Sequence, residues 1–292
     1  MFGYPVILLA GVVAGQIQDS ASPAVLSRQI LDDALPADKR RELAVASADR
    51  AAEVVAAMVA DLPRGDEREE YRRIPWIWRV AIAAGKSDRD APLRALLDAS
   101  LPQEDEKLRD WQAVVIGGGI INAISLSGKW PQPRIESLIG KDESLRRRWQ
   151  QSLAAAAAMA DDAKIKTGTR YDALRMIALD PTNAHISQLG KHLAKDSDEE
   201  LQMGAVSGLS DVDSEAATGL LASALPDLAK SNQALAIDAL LRTEERTNVL
   251  LGLLQSGKFK AATLSEAQQK KLRELPNASQ RERAIRLLDR DR

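Results

Sequence analysis

Ala173-Leu174-Arg175-Met176-Ile177 is followed by Ala205-Val206-Ser207-Gly208-Leu209 and then by Ala236-Ile237-Asp238-Ala239-Leu240. The three stretches carry small and apolar residues at matching places, with offsets of 32 and 31 residues. A second apolar segment follows each one: Ile186 to Leu193, Ala216 to Leu225 and Val249 to Leu254. Within these, Leu189, Leu220 and Leu251 are each 31 residues apart. A pair of helix-length apolar segments every thirty-odd residues predicts stacked helix pairs, each burying its faces against its neighbours. Ankyrin units would carry a Thr-Pro-Leu-His signature, and tetratricopeptide units Trp, Gly and Tyr markers at a period of about 34 residues; neither set is present. The expected fold is all-α: a HEAT-like α-solenoid, a right-handed superhelix of antiparallel helix pairs.

The repeats are expected over 169–292, with a degenerate last unit from Leu264 to Leu288. Asp180-Pro181, Asp211-Val212-Asp213 and Thr243-Glu244-Glu245 fall at equivalent places between paired helices and read as caps for open N–H groups. Residues 24–168 read as helical but irregular. Pro36 opens a helix that carries Leu43, Ala44, Ala51, Val54, Val55, Met58 and Val59 at three-to-four spacing. Asp66 to Arg73 is a charged turn or two, and Pro75 restarts the chain into Trp76 to Ala84. Helices are expected again over Asp105 to Ile124, Ser144 to Met159 and Arg170 to Leu179.

Composition agrees. Aromatic residues make up only 3% of the chain, and Ala and Leu, the strongest helix formers, fill the apolar positions. The net charge of −2 gives no global attraction to nucleic acid. From Gln255 onward the balance is +5, leaving −7 for the rest, so a HEAT-like DNA glycosylase, which needs a basic concave face, is disfavoured. The absence of cysteine removes disulfides, thiolate metal sites and c-type haem attachment. Val6 to Val13 (VILLAGVV) is too short to span a bilayer and resembles a signal-peptide core, although no Lys or Arg precedes it. Residues 1–23 are therefore read as a signal peptide or a flexible N-terminus. A periplasmic or otherwise extracytoplasmic location is expected, with no stable membrane span in the mature chain. The alternative is a first solenoid helix in a cytoplasmic protein.

Motifs that could carry chemistry mostly fail on spacing. Val114-Val115-Ile116-Gly117-Gly118-Gly119-Ile120-Ile121-Asn122 looks like the start of a dinucleotide-binding unit. Asn122 replaces the third glycine, however, and no acidic strand end follows about twenty residues on. A glycine-rich helix packed tightly against a neighbour, or broken there, fits better. Ser127-Gly128-Lys129-Trp130 is no P-loop, because Ala123 stands where its first glycine belongs. His185 and His192 lie about 10.5 Å apart along a helix and cannot share a metal. Asp211-x-Asp213-x-Glu215 lacks the glycine and distal Glu of a calcium loop and reads as helix capping. Glu67, Glu69 and Glu70 alternate with Arg68, Arg72 and Arg73 as on a salt-bridged exposed helix. No catalytic residue, cofactor or metal is expected.

What remains is a polar-aromatic set of the kind that dominates interface hot spots. Its partner-binding candidates are Tyr71, Arg72, Arg73, Trp76, Trp78, Arg79, Trp130, Arg170, Tyr171 and Arg175. Core packing and salt bridges between repeats would account for the same residues.

Tyr71 to Ile82, Val115 to Asn122 with Gly128-Lys129-Trp130-Pro131, and Thr169 to Ile177 together resemble the HEAT-repeat region of planctomycete-type exported multidomain proteins. The likeness covers roughly residues 35–290. In that family helical repeats sit between a propeller-like dehydrogenase domain and a c-type cytochrome domain, neither of which this sequence contains. The resemblance implies export and a separate cytochrome or propeller protein as partner; no nucleic-acid partner is expected, on the charge balance. The expected function is a non-catalytic scaffold for protein-protein interaction. A ligand-binding protein or enzyme with a pocket near Trp76, Trp111, Asn122, Trp130 and Arg170 is the alternative, and a bilin-lyase-like chromophore carrier a further one.

Overall fold

The computed structural model describes residues 21–102 and 109–290. The Val6–Val13 run lies outside them, as does the Asp105–Leu108 start of one expected helix. Among the described residues the protein has sixteen α-helices and no β-strand. It divides into two compact units, one running to Lys129 and including Leu138–Leu145, the other made of Trp130–Ser137 and Arg146 onward. The expected start of the repeats at 169 thus falls inside the second unit.

The first unit holds α1 (Pro23–Leu31), α2 (Ala37–Ala46), α3 (Ala51–Ala60), α4 (Glu67–Ser87), α5 (Asp90–Ser100) and α6 (Asp110–Leu126). Ser22 starts α1 by accepting from the Val25 N–H, and Pro23 occupies a position where no N–H is needed. Asp66 caps α4 through the Glu69 N–H at 3.1 Å, with three glutamates in its first turn to complement the helix dipole. Two expectations are corrected here. The helix expected from Pro36 to Val59 is two, because a 3₁₀ turn at Ala48–Arg50 separates α2 from α3. The buried Ser47 hydroxyl draws back onto the Leu43 carbonyl at 2.7 Å where the chain turns. Conversely, Pro75 does not restart a helix; it lies inside the 21 residues of α4. It cannot give the Tyr71 carbonyl an N–H, but it lies on the exposed side, while Ile77, Val80, Ala81 and Ala84 bury the other side completely.

Each of these helices packs on its second neighbour: α1 on α3, α3 on α5, α2 on α4, α4 on α6. The α4–α6 contact is unusually close. A Cβ added to Gly119 would lie 2.8 Å from the Ala81 Cβ, and one added to Gly85 would lie 2.5 Å from the Ala123 Cβ. Numbers rise together along both helices, so they run in the same direction. The glycine motif that imitates a dinucleotide fingerprint is therefore interior helix, and Gly119 serves close packing.

The second unit holds most of α8 (Glu143–Asp161) and then α9 (Thr167–Ile177), α10 (Ile186–Lys191), α11 (Glu199–Ser210), α12 (Glu215–Ala224), α13 (Lys230–Leu240), α14 (Glu244–Gln255), α15 (Glu266–Arg273) and α16 (Ala278–Arg290). The short helix α7 (Pro131–Ile139) precedes α8. The aligned Ala173, Ala205 and Ala236 are fully buried, as are Leu189 and Leu251; Leu220 is half-buried. Again α9 packs on α11 and α11 on α13. Gly204 and Gly208 admit Tyr171 and Leu174, with the Leu174 carbonyl 3.0 Å from a Cβ at 208.

Buried amides tie neighbouring pairs together. Asn232 donates to the Glu199 carbonyl and the Gln202 side chain, Gln268 to the Ala234 carbonyl, and Gln280 to the Glu244 carbonyl, at 2.8–3.1 Å. Gln202 in turn accepts from the Ala229 N–H. The partners in these bonds lie between 27 and 36 residues apart, about one repeat.

Candidate partner-binding surface

In the first unit the expected residues lie along α4. Tyr71, Pro75 and Arg79 are four apart and share one outward stripe. Tyr71 is 36% exposed; Pro75 is exposed, and Trp76, Trp78 and Arg79 are half-buried. Two guanidinium groups lie over the Trp76 ring, that of Arg40 from α2 at 4.1 Å and that of Arg79 at 5.0 Å from its centroid. Arg79 also donates to the Pro75 carbonyl at 2.8 Å. Burial, with the charges of Arg41 and Arg40 close by, lowers the Arg79 pKa.

Arg72 and Arg73 are differently placed. Arg72 grips Glu69 and reaches the Leu31 carbonyl at the end of α1 at 2.7 Å. Arg73, only 7% exposed, donates to the Met58 carbonyl near the end of α3 and to Asp61 at 2.6 Å. The last carbonyls of a helix have no partner within it, and these guanidinium forks supply one. Arg73 is therefore an internal tie rather than a surface contact.

In the second unit, Trp130, Tyr171 and Arg175 join a network around Asp211 that the sequence reading missed. Asp211 has no exposed side-chain surface, and its two oxygens accept from Arg175 at 2.7 Å and from Arg242 at 2.9 Å. It was expected to cap a helix start, but Ser214 caps α12 instead, through the Ala217 N–H. Burial opposes the charge on Arg175, yet Asp211 and Tyr171 outweigh it and raise its pKa. Arg242 lies 3.9 Å over the Trp130 ring. Arg246, 1% exposed, donates to the Leu209, Ser210 and Val212 carbonyls at the end of α11. Burial and the neighbouring Arg242 lower its pKa. Arg170 donates to the Ala160 carbonyl at 2.9 Å. Arg175, at 3% exposure, is likewise inside the packing. The one sequence signal for this network is the 36-residue separation of Arg175 and Asp211, close to the repeat period.

Of the residues expected to line a pocket, Trp76, Trp111 and Asn122 belong to the first unit, and Trp130 and Arg170 to the second. The first unit does contain a groove of about 430 Å³, lined by Ser27, Arg28 and Leu31 of α1, Asp61, and Arg72 and Arg73 of α4. His185 accompanies Asp180 and Gln188, while His192 meets Asp161 at 3.0 Å. No helix among the described residues is long and apolar enough to cross a membrane. No protein-family model, curated protein or solved structure matches this chain.

Proposed function

We propose that this chain is a HEAT-like α-solenoid acting as a non-catalytic scaffold that binds another protein. The observation that carries the reading is packing on second neighbours, in a common direction for α4 and α6 and for α9 and α11, joined in the second unit to polar bonds that recur about one repeat apart. That is the contact pattern of units stacked in one dimension. A stack of this kind presents long rows of helices to its surroundings, and the outward stripe of α4 supplies Tyr and Arg side chains, with half-buried Trp76 beside them, of the kind that anchor interfaces. The resemblance to exported multidomain proteins supports an extracytoplasmic setting and a partner of the cytochrome or propeller type.

The test is recovery of the full chain from an envelope fraction of producing cells, with sequencing of its mature N-terminus. One protein recovered at fixed stoichiometry, and lost when Tyr71→Ala and Arg79→Gln are combined, supports the scaffold. A chain that elutes alone under gentle cross-linking sinks it.

A further inference from the structure

Arg79 stands out among the arginines of the first unit that are not fully exposed; Arg28 and Arg68, which likewise pair with no carboxylate among the described residues, are open to water. Arg40 pairs with Asp33, Arg41 with Asp38, Arg72 with Glu69 and Arg73 with Asp61. Arg79 has no carboxylate partner among the described residues; its only hydrogen bond goes to the Pro75 carbonyl. It is half-buried against Trp76, where water compensates its charge less than on an open surface. Arg40, over the same ring, is 7% exposed, and its Nη2 has no hydrogen-bond partner. Around one indole there is thus more guanidinium than carboxylate. The stripe beside it, Tyr71 and Pro75, is apolar and turned outward.

We infer that the Trp76–Arg79 corner of α4 docks an acidic segment of the partner protein, one carboxylate pairing with Arg79 while adjoining apolar atoms cover Tyr71 and Pro75. This rests on the scaffold reading and adds the chemistry of the partner. Charge complementarity selects the carboxylate, and the planar fork of Arg79 suits two parallel hydrogen bonds to it. A nucleic acid strand fits less well, because Asp33, Asp38 and Glu69 already pair with Arg40, Arg41 and Arg72, which leaves no continuous row of uncompensated cations for a phosphate backbone. Spaced carboxylates need no such row.

The experiment uses the full chain and a short Glu-rich peptide with one Leu, against its Gln-substituted counterpart and a single-stranded oligonucleotide. Binding is followed through the indole N–H resonance of Trp76, assigned with Trp76→Phe. The acidic peptide is expected to bind and shift that resonance, and the Gln peptide to lose at least about tenfold in affinity. Arg79→Gln should lose a similar factor, while Arg68→Gln, exposed on the same helix, should stay within about twofold. Circular dichroism checks folding; if Arg79→Gln does not fold, Arg41→Gln, whose charge belongs to the same corner, should still weaken the acidic peptide. Equal binding of the two peptides, no binding of the acidic one, no effect of these variants, or tighter binding of the oligonucleotide overturns the inference. If the acidic peptide fails while the cellular partner is still recovered at fixed stoichiometry, the acidic docking is wrong and the scaffold stands. If both fail, the scaffold itself is wrong.

Discussion

Gly85 meets Ala123 so closely that a Cβ on Gly85 would sit 2.5 Å from the Ala123 Cβ and 3.1 Å from the Ile120 carbonyl oxygen. Neither neighbour is the movable end of a long side chain, so α4 and α6 must separate to admit a methyl group. Gly85→Ala gains about 1 kcal/mol of helix propensity but meets an overpacking cost of about 1–3 kcal/mol. The expected net effect is destabilisation by about 1 kcal/mol. Gly85→Ala combined with Ala123→Gly exchanges the two residues and should recover much of the loss of overpacking. Urea melts of the single and double variants decide this, and additive effects would show that the two residues do not oppose one another.

Gly219 and Gly252 lie in helix interiors with nothing within 4 Å of an added Cβ. Replacing either by Ala should therefore stabilise the protein by about 0.5–1 kcal/mol, since only propensity changes. A lower melting temperature in either variant would contradict the packing described for α12 or α14.

Asp211 joins Arg175 and Arg242 with no exposed side-chain surface of its own. Asp211→Ala leaves Arg175 buried without that carboxylate, a change that costs on the order of 3–5 kcal/mol for a buried pair. Because Arg175 comes from α9 and Arg242 follows α13, hydrogen exchange should rise in α9, α11 and α13 together. Exchange limited to the turn at 211 would mean that the network does not couple these helices.

Arg246 closes the end of α11 by donating to its last carbonyls. A Lys ammonium is a point charge without the planar fork needed to reach several carbonyls at once. Arg246→Lys should cost about 2 kcal/mol, the scale of leaving a buried acceptor unpaired. A melting temperature unchanged by this variant would remove the arginine from any structural role.

The Asp61 carboxylate is held below its ordinary value of 3.8 by the hydrogen bond from Arg73. A lowered carboxylate pKa favours the fold at pH values above 3.8, and that contribution is lost as pH falls through the lower, folded value. Stability should thus be insensitive to this pair between neutral pH and the ordinary value, then decline below it. Arg73→Met should bring the Asp61 carboxyl titration, followed by NMR, back up toward the ordinary value. A titration that does not move would mean the pair is not formed in solution.

The helices were legible in the sequence because their signals are local. Apolar spacing of three and four, Ala and Leu in place of aromatic and β-branched residues, and a thirty-odd-residue recurrence placed Ala173, Ala205 and Ala236 inward, where all three are buried. Spacing also argued against a dinucleotide fold at Gly117 to Gly119. Pro75 misled, since a proline reads as a break until burial on both sides of it is known. Ser47 misled in the opposite direction, because continuous apolar periodicity hides a short turn.

The use of each charged side chain was decided only in three dimensions. Arg73, Arg79 and Arg175 look alike in sequence, each a cation near an aromatic residue. One closes α3, one rests half-buried on Trp76, and one is buried against Asp211. Periodicity fixes which face of a helix turns inward, because it depends on geometry within a single helix. Whether a guanidinium meets a carbonyl, a carboxylate or an indole depends on which groups lie opposite it, and that is set by packing between helices, across 15 positions for Arg73 and Met58 and 36 for Arg175 and Asp211.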